Sequence, residues 1–205
     1  MSVVFRLVAA TLLLFMAGTA QATTLTFGQN NGPFVLDRGA EVQEHGYSVQ
    51  NIDGFLSWIN GDIYDADPTS SVGLVTNFGQ TTTTITRIDG GPFNLYSIDF
   101  SDAYNGATIA GFIDYSFETF GLGGAGGGGS FLVDDLPGLE TVLFSLVNLS
   151  SFSFTADSDL RYVQFDNVQV TATPIPAAFP LLGTALAGLG FMQWRRKRQT
   201  ARVAA

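Results

Sequence analysis

Between residues 23 and 173 apolar positions come in short runs, mostly at every second residue, and Gly, Asn, Asp or Pro separates one run from the next. Period-two alternation is what a strand covered on one face requires, because successive side chains point to opposite sides. The pattern predicts strands over Thr24 to Phe27, Tyr47 to Val49, Thr82 to Ile88, Leu95 to Phe100, Thr108 to Phe117, Phe131 to Val133, Thr141 to Val147, Phe152 to Thr155 and Tyr162 to Val170. Ile109, Ile113, Tyr115 and Phe117 share one phase, and so do Tyr96, Ile98 and Phe100. Val163 and Phe165 alternate on one phase and Val168 and Val170 on the other, so a bulge is predicted at Asp166-Asn167, re-aiming a carboxylate and an amide. Short strands rich in Phe, Ile, Val and Thr, with almost no helical periodicity, predict an all-β fold: a single β-sandwich, jelly-roll-like.

Two segments read as connections. Gly121 to Ser130, GLGGAGGGGS, lacks the strand-to-helix setting and the Lys of a phosphate-binding loop, so its composition predicts a flexible hairpin link. Asn148-Leu149-Ser150 matches a glycosylation acceptor by chance and reads as a turn.

The ends follow a different pattern. Ala177 to Met192 carries no charge, and the run to Trp194 would make a helix about 27 Å long, close to the ~30 Å apolar thickness of a bilayer. Arg195, Arg196, Lys197 and Arg198 then act as a stop-transfer cluster and keep the C-terminus cytoplasmic. At the other end Arg6, an apolar run from Leu7 to Gly18, and Ala20-Gln21-Ala22 form a secretory signal, with cleavage by signal peptidase expected after Ala22. The organisation predicted is a signal peptide over 1–22, a β-sandwich over 23–173 and a C-terminal segment over 174–205 that contains a transmembrane helix at 177–194.

Pro174, Ile175 and Pro176, directly before the apolar span and the Arg-rich end, make this C-terminus resemble the PEP-CTERM sorting signal of Gram-negative bacteria. Ile175 stands where the commonest version has Glu, as in the Pro-aliphatic-Pro variants. The resemblance implies that the chain is a substrate of an exosortase-type membrane enzyme cutting near the Pro motif. It also implies an exported protein, held transiently in the inner membrane and then found at the cell surface or in an extracellular matrix of exopolysaccharide and biofilm. A simple membrane-tethered surface protein, with Pro-Ile-Pro as a mere linker, is the alternative.

Charge narrows the partners. All 18 acidic residues fall between Asp37 and Asp166, against only Arg38, Arg87 and Arg161, so the body carries a formal −15 while the whole chain carries −9. Such a surface repels phosphate backbones and excludes nucleic acid as a partner, whereas divalent cations and neutral ligands suit it. The chain has no cysteine, which excludes disulfides, a thiol nucleophile and Cys-based metal sites.

Candidate chemistry is sparse. Asp62, Asp65 and Asp67 offer carboxylates to calcium, but Pro68 breaks the EF-hand pattern and a solvated acidic turn needs no ion. Asp166, at the phase slip, is the better single candidate for a structural calcium. The segments Phe93-Asn94-Leu95-Tyr96-Ser97-Ile98-Asp99 and Phe165-Asp166-Asn167-Val168 resemble segments of PEP-CTERM-bearing proteins and the last strand of galactose-binding-like jelly rolls and carbohydrate-binding modules. In those proteins the resemblance implies a terminal Asp that helps hold calcium. Trp58, with Asn60 and Tyr64, has the aromatic and amide chemistry of a sugar site, although Trp58 in a strand-like stretch equally reads as core. His45, the single histidine, has no Gly-x-Ser-x-Gly elbow to serve and reads as a turn or surface residue. The function expected is a non-catalytic, polysaccharide-associated or structural module. Its rival is a secreted glycan-active hydrolase, because two well-placed carboxylates suffice for that chemistry.

Overall fold

The structure, a computed structural model, describes residues 21–27, 34–35, 39, 41–59, 73–77, 80–102, 110–121, 124–133, 138–157, 160, 162–173 and 188. Its strands are β1 (Ala22–Leu25), β2 (Phe34–Val35), β3 (Glu41–Glu44), β4 (Tyr47–Asn51), β5 (Phe55–Ile59), β6 (Gly73–Asn77), β7 (Thr82–Arg87), β8 (Phe93–Asp102), β9 (Gly111–Thr119), β10 (Gly126–Val133), β11 (Glu140–Ala156) and β12 (Tyr162–Ala172). They pair antiparallel in the order β2-β5-β6-β12-β8-β11-β7-β4-β3, with β1 added to β12, β9 to β11 and β10 to β9. The expected all-β sandwich is what the chain forms.

β11 turns one sheet into two layers. Its first half, from Glu140 to Leu149, pairs with β8, whereas Ser151 to Thr155 lie between β7 and β9. Ser145 and Asn148 have φ of 53° and 57°, and the β8–β11 register shifts on either side of Leu146. A strand changes sheets through such bulges, because each adds a bend and a local twist. Thr141 to Val147 and Phe152 to Thr155 are therefore one strand, and Asn148-Leu149-Ser150 is not a turn but an irregular stretch inside it.

The core lies between the layers and is aromatic. Phe154 of the β7/β9 layer meets Phe100 and Phe165 of the β8/β12 layer edge-on, with ring centroids 5.2 and 5.1 Å apart. Phe93 receives Tyr47 from β4 at 5.7 Å, and Phe152 is stacked by Tyr115 at 5.9 Å. Edge-to-face geometry suits ring quadrupoles. With no disulfide available, this packing is the main source of stability.

Two expectations are corrected. Gly126 to Ser130 are not a flexible link: they belong to β10, in register with β9 from Gly126↔Glu118 to Val133↔Gly111. Backbone pairing needs no side chain, and the glycines leave room for Phe117 and Tyr115 to lie over them. Tyr96 does not share the buried face of Ile98 and Phe100: it is 41% exposed while both of those are fully buried. The β8–β12 register shifts between Ser97↔Gln169 and Leu95↔Val170, so one extra β8 residue, Tyr96, bulges out of phase.

His45-Gly46 forms the two-residue loop between β3 and β4, with φ of 48° and 84° and Glu44 opposite Tyr47. Left-handed φ at both loop residues is the geometry of a type I′ hairpin turn, so His45 is the turn residue expected. The segments expected to form the transmembrane helix and the signal peptide up to Ala20, with the Pro-Ile-Pro element and the basic cluster, lie outside the described residues, apart from Gly188. Among the described residues no helix is long and apolar enough to cross a membrane.

Candidate functional site

The bulges in β8, β11 and β12 fall side by side, and the outer surface of this layer is where they place side chains. Asn167 has φ of 49°, and the β8–β12 register jumps from Asp166↔Asp99 to Gln169↔Ser97. The slip expected at Asp166-Asn167 is there. Asn accepts left-handed backbone more readily than most residues, and both Asn148 and Asn167 use it.

Three polar rows cross the layer. In the first, Asp99 lies between Thr141 of β11 and Asp166 of β12 and is opposite each of them. The Thr141 hydroxyl donates to Asp99 Oδ1 at 2.6 Å and Asn167 Nδ2 donates to Asp99 Oδ2 at 2.9 Å, so both carboxylate oxygens are fixed. Asp166 is fully buried.

The second row is Leu143, Ser97 and Gln169, with Thr24 of β1 opposite Gln169. Leu143 is 78% exposed, Gln169 and Thr24 are exposed, and Tyr96 stands next to Ser97. In the third, Asn94 Oδ1 accepts the Asn148 N–H at 2.9 Å and the Thr173 hydroxyl at 3.1 Å, and Asn148 Nδ2 donates to the Phe120 carbonyl at 3.0 Å. Val147 beside it is 63% exposed.

The face thus presents one exposed aromatic ring and two exposed aliphatic side chains beside amide, hydroxyl and carboxylate groups held by hydrogen bonds. That is the chemistry of a surface for a neutral, hydroxylated ligand, which shows apolar faces and a polar rim. Fixed polar groups lose little freedom when they engage a ligand.

The two segments singled out in the sequence, 93–99 and 165–168, are neighbours across β8 and β12. Of the other candidate residues, Trp58 lies in β5 opposite Phe34 and Leu74, with its side chain outside what is described. Asn60, Asp62, Tyr64, Asp65 and Asp67 lie outside the described residues, as do Pro174, Ile175, Pro176 and the residues from Arg195 to Arg198. Ala22 opens β1 opposite Thr171, and Ala20 lies outside. No group of three or more His, Asp or Glu side chains converges among the described residues. Sequence reading missed Tyr96, Leu143 and Gln169 as surface residues, and the clustered Asn and Asp at 94, 99, 148, 166 and 167 was the signal that marked the bulges.

No protein-family model matches the chain, and no curated protein sequence matches it. Among solved structures, the chain is similar to a DUF4465 family protein from Bacteroides caccae, with 14% identity, 75% of this chain and 100% of that one covered, and a TM-score of 0.48. It is similar to a family 29 carbohydrate-binding module solved with mannohexaose, with 12% identity, 75% and 93% covered, and a TM-score of 0.44. A family 11 carbohydrate-binding module from Clostridium thermocellum, solved with a mixed-linked β-1,3-1,4 tetrasaccharide, gives 12% identity, 75% and 96% covered, and a TM-score of 0.43.

Proposed function

We propose that this chain is an exported surface or matrix protein whose β-sandwich binds extracellular polysaccharide without turning it over. The observation that carries the reading is the outer face of β8, β11 and β12. There Tyr96 stands exposed beside Ser97, with Leu143 and Gln169 exposed on either side of it, within a frame of hydrogen-bonded Asn94, Asn148, Asn167 and Asp99. A pyranose stacks its apolar face on a ring while its hydroxyls reach amides and carboxylates. Asp99, with Thr141 and Asn167 each bound to one oxygen, is a fixed acceptor.

The test is retention of the full chain on polysaccharide from its own host. Binding should saturate, and Y96A and Q169A should each weaken it roughly tenfold, about the worth of one ring contact or hydrogen bond. Release of soluble sugar, abolished by one carboxylate substitution, would replace this reading with a hydrolase. Unsaturable or equal retention of all variants would remove it.

The sorting route belongs to the same proposal: signal peptidase cleavage after Ala22, then exosortase-type processing near Pro174 to Ala177, placing the body outside the cell. Intact mass in host fractions tests it. A product ending near Pro174 to Ala177 only when the exosortase is present supports sorting, and one retaining Arg195 to Arg198 in both backgrounds makes the chain an ordinary tethered protein.

A calcium ion at Asp166 is part of the proposal only as a structural aid. Burial of a whole carboxylate suits a paired or ligated charge, but the described residues do not by themselves make a calcium ligand set. A higher melting temperature in calcium than in chelator is expected, and equal values would remove the ion.

A further inference from the structure

Among the described residues β10 is an edge strand. It pairs with β9 on one side, and among the described residues no strand pairs with the other. Gly126 to Ser130 are exposed, so a row of backbone N–H and C=O groups faces outward. Edge strands are normally guarded by charge, proline or a bulge. β3, at the far end of the strand order, follows that rule: it carries the exposed Glu41, whose carboxyl the Ser48 and Gln43 side chains hold below its ordinary pKa, hence ionised. β10, GGGGSFLV, has no charge, no proline and an unbroken register with β9.

We infer that β10 pairs edge to edge, antiparallel, with β10 of a second copy of this chain. Charge argues for a second copy at this place: on a body of formal −15 most contacts between two copies repel, and this strand is a chargeless stretch from Gly126 to Val133. Side-chain pattern argues for the antiparallel sense. With the two-fold axis at Gly129, Leu132 of each copy falls opposite Gly126 of the other, Phe131 opposite Gly127 and Ser130 opposite Gly128, so each larger residue meets a bare backbone. Leu132 and its β9 neighbour Phe112, 50% and 51% exposed, form an apolar pair at this edge, and Leu132 would lie against the Gly126 backbone of the second copy. Asp114 and Glu118 are exposed one strand behind, so the pairing should strengthen as salt screens them. Eight residues of edge make a small interface, in the class of weak, reversible contacts.

The experiment is sedimentation of the purified full chain with S130E and S130K, each checked for folding by its melting temperature. Ser130 is exposed and lies opposite Asp114 of β9, so in the monomer S130K gains an ion pair and S130E a like-charged neighbour, a difference the melting temperatures read, whereas across the two-fold axis the like charges of each variant meet diagonally. The wild-type chain should associate more at high salt than at low salt, each variant alone should be monomeric, and an equimolar mixture of the two should recover association. L132K, on the same edge, should also abolish it. A wild type that stays monomeric at high salt, or single variants that associate as the wild type does, would overturn the inference, the latter by placing the contact elsewhere in the chain.

Discussion

Gly129 lies directly opposite Tyr115 across the β9–β10 pair, and a Cβ built on Gly129 would come 2.9 Å from the Tyr115 hydroxyl oxygen. Gly127 stands in the same relation to Phe117, whose ring atom Cζ would be 2.5 Å away. The glycines are where two rings lie across the strand, and the rings replace the side chains that β10 lacks.

An alanine series along this segment should therefore be graded. G128A meets the Tyr115 backbone carbonyl, which cannot swing aside, and should cost about 2 kcal/mol or more. G127A meets a ring that can tilt and should cost about 1 kcal/mol. G124A, with only ordinary contact to the Thr119 carbonyl at 3.5 Å, should be neutral or stabilise by about 0.5 kcal/mol through the unfolded chain. Urea unfolding of the three variants decides, and equal effects would make the segment the loose link its composition suggests.

That segment also marks how far the sequence could be read. Period-two alternation located β7, β8, β9 and β12 and the slip at Asp166-Asn167, because inward side chains announce themselves as apolar. A glycine strand announces nothing, since the cause of its pairing, the rings of Tyr115 and Phe117, lies one strand away. Tyr96 reads as sharing the face of Ile98 and Phe100 for a related reason: its phase matches theirs until the bulge against β12 is known. The surface bearing Leu143 and Gln169 follows from pairings among three strands, and no local pattern encodes those.

Asn51 is fully buried and makes three bonds: Nδ2 donates to the Thr81 and Thr83 hydroxyls at 3.0 and 3.1 Å, and Oδ1 accepts the Gly54 N–H at 2.7 Å. It ties the end of β4 to β7 and to the turn before β5. N51A should cost about 3 kcal/mol, because a buried N–H is left with no acceptor and a cavity opens. N51D keeps the shape and the acceptor but loses both donors and adds a buried charge, so it should be no milder. A loss under about 1 kcal/mol for either would show that the node is dispensable.

At the bulge, Asn167 contributes a left-handed φ of 49° and a bond to Asp99. The two roles separate by substitution. N167G keeps the backbone conformation and loses only the bond, about 1 kcal/mol, while N167A loses both, about 2 kcal/mol. Polysaccharide retention, which needs Asp99 held in place, should fall in both variants by a similar factor. If N167A binds as well as the wild type, Asp99 does not belong to the binding face.

Tyr47 offers the pH test. It is 3% exposed, and its hydroxyl has no hydrogen-bond partner among the described residues. Burial raises its pKa above the ordinary 10.0, with Arg87 opposing the rise and Asp89 adding to it. Below about pH 10 both folded and unfolded chains keep the proton, and this group adds no slope. Above that, the unfolded chain releases the proton and the folded chain holds it, so the unfolded state binds fewer protons and stability falls, by up to about 1.4 kcal/mol per pH unit, until the folded pKa is passed. Y47F removes both the slope and an unsatisfied buried hydroxyl. It should match or exceed the wild type at pH 7, and the gap should widen from pH 10 to 11 in urea unfolding. Parallel curves for the two proteins, or a Y47F loss above about 1 kcal/mol at neutral pH, would mean that the hydroxyl is satisfied in the folded chain.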